Sequence, residues 1–215
     1  MRRWWPPGLR GSLLMGVFAA LAWSGVTPHD RLTWWLEIAP ILVATPILVA
    51  TRWRVPLTPL VCTLLALHAL ILIVGGHYTY ARVPLGFWVQ DALDLARNHY
   101  DRLGHFAQGF VPALLVRELL VRRAGIRRGM WLALVTTLVC LGVSACYELI
   151  EWWAALAEGS AATDFLGTQG DPWDTQWDMC LALVGAVTAQ LLLARVHNAQ
   201  MRKMEEQRDH ARQTA

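Results

Sequence analysis

A chain of 215 residues that is 55% hydrophobic and only 16% charged is too apolar for an ordinary soluble domain and reads as an integral membrane protein. Its net charge of +3 is small, and its basic residues sit near the ends of apolar runs without interleaved exposed aromatics, which argues against nucleic acid as a partner. The four cysteines, Cys62, Cys140, Cys146 and Cys180, lie inside apolar runs with no Cys-x-x-Cys spacing, so neither a disulfide framework nor a zinc finger is indicated and buried thiols are expected.

In chain order, Arg2 and Arg3 precede an apolar run at residues 12–26. It resembles a signal peptide, but no small-residue cleavage site followed by a soluble domain comes after it, so an uncleaved first helix is expected. Asp30 and Arg31 make the first turn. A second span covers residues 33–50, with Pro40 and Pro46 expected to kink it, and Arg52 and Arg54 end it. A third covers residues 57–76. Each approaches the roughly 20 apolar residues that a bilayer crossing needs.

Residues 81–100 differ, because short apolar patches alternate there with acids. On a helix, Trp88, Ala92, Leu95 and His99 would share one face and Asp91, Asp94, Asn98 and Asp101 another, as expected of an interfacial helix lying in the membrane plane. The fourth span is expected at residues 102–121, broken by Pro112, with Arg117 and Glu118 in its last turns. After the basic turn at residues 122–128 comes a fifth span at 130–153, then a polar loop at 154–174 and a sixth span at 175–196. The charged stretch 197–215 is expected to be a frayed helical extension or disordered. The fold class is therefore all-α, a polytopic bundle of about six transmembrane helices with one amphipathic interfacial helix, in a single domain over 1–200 with a charged cytoplasmic tail at 201–215. If six spans alternate, the basic segments all fall on one side, and the excess of Lys and Arg on cytoplasmic loops places both termini in the cytoplasm and the acidic loops outside.

Three stretches carry ionisable groups into apolar runs. Charged groups at membrane depth are costly unless they pair, bind something or line a wet cavity. Asp101 and His105 stand i, i+4, one turn apart. Such a pair can hold a metal, can fix the histidine tautomer, or can staple two helices together. Gly104 and Gly109 beside them permit close helix approach. Glu148 and Glu151 are i, i+3 and repel unless a proton, an arginine or a cation intervenes; Glu148 is expected to find a buried partner among Tyr100, Arg102 and His105. Asp174 follows Pro172 and fits a helix N-cap, whereas Asp178, one turn further in, needs Arg97, Arg102 or a metal. Asp164 and Asp171 fit solvated loop carboxylates, and Gly167-Thr168-Gln169-Gly170 is a weak candidate anion nest.

Together these residues offer many carboxylates and one imidazole, a set suited to a hard divalent cation. Candidate metal ligands are Asp101, His105, Glu148, Glu151, Asp174 and Asp178, with His77 and His99 as possible additions; Asp101, His105 and Glu148 are the candidate catalytic residues. The zinc-protease H-E-x-x-H and esterase G-x-S-x-G patterns are both missing, and neither Ser144 nor Thr168 has an evident base beside it.

The run Asn98-His99-Tyr100-Asp101-Arg102-Leu103-Gly104-His105-Phe106, then Tyr147-Glu148-Leu149-Ile150-Glu151-Trp152, then Gly170-Asp171-Pro172-Trp173-Asp174-Thr175-Gln176-Trp177-Asp178, resembles the bacterial inner-membrane family that includes YjdF. More distantly, the Asp-Arg-x-x-His-Phe helix resembles the VanZ-like superfamily, where Lys usually stands in place of Arg102. The resemblance implies a helical fold in a bacterial inner membrane and brings no established activity. The sequence therefore leads to two alternatives. One is an outward-facing acidic pocket that binds or processes a lipid headgroup or lipid-linked envelope intermediate with a divalent metal. The other is a non-catalytic transporter or accessory protein whose charges are structural or form a proton relay.

Overall fold

The computed structural model describes residues 8–158 and 169–213. Arg2, Arg3, Asp164, Gly167 and Thr168 lie outside them. Among the described residues the structure is helical and holds no strand. Its helices are α1 (Leu9–Ser24), α2 (Arg31–Thr51), α3 (Pro59–Tyr78), α4 (Pro84–Leu93), α5 (Tyr100–Arg122), α6 (Met130–Glu158) and α7 (Asp174–Gln213), with a 3₁₀ turn at Tyr80–Arg82 before α4. By length and apolarity, α2, α3, α6 and α7 can each cross a membrane.

Local chemistry sets the helix starts. The Asp30 carboxylate accepts the Thr33 N–H at 2.7 Å and caps α2. Thr58 caps α3, with Pro59 at the first helical position, where a missing N–H leaves nothing unsatisfied. Pro40 and Pro46 both stand inside α2. α5 lies centrally, against α3, α6 and α7, while α1 and α2 pack on α3. A core of Leu57, Val61, Ala113, Leu114, Cys140, Ala186 and Ala189 ties α3, α5, α6 and α7 together. Large apolar side chains such as Phe18, Trp131 and Leu191 face outward, the inverse of a soluble protein.

Several expectations change. The amphipathic pattern over 81–100 is not one helix: α4 ends at Leu93, and Asp94 adopts the left-handed conformation (φ 52°) that terminates it. Asn98 then pins the returning chain, donating from Nδ2 to the Val83 carbonyl at 3.0 Å and accepting the Tyr100 N–H at 3.0 Å. Asp101 therefore belongs to α5, not to the face of an interfacial helix. Pro112 does not break α5, which runs unbroken on both sides of it, with Ala113 and Leu114 fully buried against the neighbouring helices. Of the cysteines, Cys140 is buried but Cys146 and Cys180 are exposed, because they fall on the outward faces of α6 and α7. For the stretch after the sixth span, the helical extension is the alternative that holds: α7 continues to Gln213, and His197, Met201 and Met204 are buried along it.

Candidate functional site

The site is built by a close crossing. A Cβ on Gly109 would overlap the Ala182 carbonyl, and one on Gly185 would overlap the Phe106 carbonyl, so α5 and α7 approach backbone to backbone. The contacts on either side of this crossing, His105 with Asp178 near the start of both helices and Glu118 with His197 further along both, show that the two helices run parallel. One turn before Gly109 stands His105; one turn before Ala182 stands Asp178. The small residues therefore bring an imidazole of one helix against a carboxylate of the other.

At that point His105 Nε2 lies 3.5 Å from Asp101 Oδ1 and 3.8 Å from Asp178 Oδ2, while Nδ1 lies 3.7 Å from Glu148 Oε1 and 3.0 Å from Gln108 Oε1. One ligand atom from each of Asp101, His105 and Asp178 falls within 4.8 Å of the other two. Glu151 is buried beside them and acts electrostatically on His105. Glu148 Oε1 and Asp178 Oδ1 are buried without a hydrogen-bond partner. The three expected stretches thus meet.

Among the described residues no arginine forms an ion pair with this group. Arg97 binds Asp174 at 2.6 Å and Asp171 at 3.6 Å, and Arg102 binds Asp171 at 3.0 Å while covering the Trp177 ring. Both candidate cations for Asp178 are therefore committed to the start of α7. Asp174 is correspondingly not the N-cap. It is the first helical residue, and Asp171, expected to be solvated, instead accepts the Trp173 N–H at 2.9 Å. The Gln169 side chain clasps the Asn98 backbone through both its N–H and its carbonyl, at 3.2 and 2.8 Å. His77 is held away by the Ser24 carbonyl at 2.9 Å. His99, at the turn before α5, is disfavoured as a cation by burial and by Arg102 and Arg97, so its pKa falls below the usual imidazole value.

Two features escaped the sequence reading. Glu37 of α2, 5% exposed, adds a fifth carboxylate, close enough to Asp101 and His105 to interact electrostatically and within hydrogen-bonding reach of the Tyr80 hydroxyl. Tyr80 is wedged between Gly75 and Gly104, where any side chain would collide with its ring, and it follows Thr79 at φ 62°, a strained conformation for a β-branched residue. A lone acid in an apolar span was the available signal for Glu37. The second feature is another polar centre at the far end of α5. Both Glu118 oxygens accept the Thr58 N–H (3.1 and 3.2 Å), and the carboxylate also takes the Thr58 hydroxyl (2.8 Å), His197 Nε2 (3.0 Å) and Arg122 (2.6 Å). Arg117 donates to Asn198 at 2.9 Å beside it.

The family of predicted membrane proteins DUF2238 matches residues 10–199. The inner membrane protein YjdF of Escherichia coli (strain K12) is 52% identical over 203 residues, covering 94% of this chain and 97% of that one. No solved structure matches. With its apolar helices and a match across nearly the whole chain, this protein belongs to the DUF2238 family of predicted membrane proteins.

Proposed function

We propose that this is a six-span inner-membrane protein whose acidic pocket, at the outer face, binds a divalent cation and through it a phosphate-bearing lipid headgroup or lipid-linked envelope intermediate. The observation that carries this reading is five buried carboxylates, Glu37, Asp101, Glu148, Glu151 and Asp178, around one imidazole, with no arginine or lysine ion pair to any of them among the described residues. Such a set is tolerated in low dielectric only when protons or a cation neutralise it. Asp101, His105 and Asp178 are the inner ligands, with Glu148 and Glu151 at the rim. A cation held by these residues would supply an electrophile for phosphate oxygens, and His105, at ion-pair distance from Asp101 and Glu148, would move a proton. Asp174, tied to Arg97, orients the start of α7.

The span count rests on α1 and α5 as well. α1 has 16 residues and packs along α3, and α5 is 23 residues long, with its charges facing other helices and not lipid. α4 exposes Leu85, Phe87, Trp88 and Leu93, which suits an interfacial position. Arg52, Arg54, Arg122, Arg123, Arg127 and Arg128 cluster at the Glu118 end, which supports a cytoplasmic position for that end and for both termini. Cysteine labelling at position 125 from inside and at position 91 from outside checks the orientation, and the reversed pattern overturns it.

A second reading is a proton relay, favoured by the 3.5–3.8 Å spacing of three carboxylates around His105. Metal content of the purified protein separates the two. The cation reading expects a divalent metal that Asp101→Ala and Asp178→Ala abolish; the relay expects no metal in any of the three and proton flux lost in both variants.

A further inference from the structure

We propose that Gln108 is a positioning residue that presents one particular nitrogen of His105 to the carboxylates. Given the cation reading above, that nitrogen makes the pocket prefer a first-row transition cation to Mg²⁺ or Ca²⁺. Gln108 follows His105 by three residues on α5, so the two side chains share a face. Its Oε1 lies 3.0 Å from Nδ1. An amide oxygen only accepts, so Nδ1 is the donor in that bond and keeps its proton. Glu148 Oε1, 3.7 Å from the same nitrogen and without a hydrogen-bond partner, is a second acceptor on that side. Both neighbours of Nδ1 therefore favour a proton there, and Nε2 is the nitrogen left to ligate.

Nε2 faces Asp101 Oδ1 at 3.5 Å and Asp178 Oδ2 at 3.8 Å. A cation bonded at about 2.0–2.2 Å to imidazole and carboxylate spaces such donors by roughly 3–4 Å, so these atoms already stand near the separations it needs. The other Asp178 oxygen, Oδ1, is buried beside them without a partner. Oxygen donors alone suit Mg²⁺ and Ca²⁺, whereas an imidazole nitrogen strengthens binding mainly for first-row transition cations. Among the described residues, His105 is the one nitrogen donor in the ligand cluster, so the preference depends on its Nε2. A hydrogen-bond acceptor behind a ligating histidine fixes both the tautomer and the ring orientation. Without Gln108, Nδ1 would keep only the longer contact to Glu148, and either nitrogen could turn toward the carboxylates.

The test measures Mn²⁺ and Mg²⁺ affinity of the full chain in lipid nanodiscs, together with the nitrogen coupling to bound Mn²⁺ seen by electron spin echo. Wild type is expected to bind Mn²⁺ more tightly than Mg²⁺ and to show one imidazole nitrogen on the metal. Gln108→Leu should lose Mn²⁺ affinity by about 10–100-fold, the range for removing the partner behind a ligating histidine, with a smaller loss for Mg²⁺. Gln108→Met, closer in shape, repeats the measurement if leucine impairs folding. Gln108→Glu keeps an acceptor against Nδ1 and should retain both the preference and the nitrogen signal, while His105→Gln loses both. Equal losses of Mn²⁺ and Mg²⁺ in Gln108→Leu, or bound Mn²⁺ without a nitrogen signal in wild type, overturn the role of Gln108 and leave the cation reading standing. Wild type that binds neither ion overturns the cation reading itself, and the preference with it.

Discussion

α5 carries a buried carboxylate at each end, and the two are treated in opposite ways. Glu118 receives a backbone N–H, a hydroxyl, an imidazole and a guanidinium, so its lone pairs are filled and it knots α3, α5 and α7 together. Asp101, about 26 Å away along the same helix, sits among like charges, with one imidazole at ion-pair distance and unpartnered oxygens on Glu148 and Asp178 nearby. A polar centre that serves only the fold is expected to be satisfied. The unsatisfied one is where stability would be given up for the binding proposed above.

The sharpest way to break this contrast is Glu118→Ala. It strands a buried Thr58 N–H, His197 and Arg122, and the expected loss is about 3–5 kcal/mol, the range for removing one partner of a buried pair, read as a collapse of thermal stability in detergent or nanodiscs. Unchanged stability would show that the inner knot is dispensable. Gly109→Val comes next: its side chain meets the Ala182 carbonyl and forces α5 from α7, for an expected cost of about 1–3 kcal/mol. Because the same crossing sets His105 against Asp178, metal affinity is expected to fall with it; stability lost with affinity intact would detach the site from the crossing.

Asp178→Asn should do the reverse, leaving the melting temperature unchanged or raised while metal binding drops at least about tenfold, the usual scale for disturbing a ligand set. The smallest effect is outside both centres. Asp30→Ala removes the α2 cap, costing about 1 kcal/mol. The Thr33 N–H bond lowers the Asp30 pKa, so its stabilisation is present above the ordinary aspartate value and is lost as pH falls through the folded one. Melting curves of wild type and Asp30→Ala should therefore converge in acid and separate toward neutral pH.

Much of the open centre was legible because Asp101, His105, Glu148 and Asp178 interrupt apolar runs at helical spacing, and hydrocarbon penalises such interruptions. Glu37 was overlooked because it has no ionisable neighbour within a turn on its own helix; its companions come from α5 and the Tyr80 turn, a tertiary fact. The satisfied centre was harder still. His197 follows the last strongly apolar run, so hydropathy alone assigned it to a tail, yet one face of α7 stays buried through Met201 and Met204. α4 failed for the opposite reason: periodicity carried the helix past Asp94, where backbone conformation, invisible to periodicity, ends it. Asp171 and Asp174 both depart from expectation because Arg97 and Arg102 reach across the bundle to them, a tertiary contact that local sequence does not reveal.

The most direct test is the melting temperature of wild type, Asp178→Asn and a Glu118→Gln variant as Mn²⁺ is raised. A cation bound only by the folded state stabilises by about 2.7 kcal/mol at a hundred times its dissociation constant. Wild type and Glu118→Gln should both climb with metal, Glu118→Gln from a lower start, while Asp178→Asn stays flat. Parallel climbs in all three, or none in wild type, would contradict a cation site between α5 and α7.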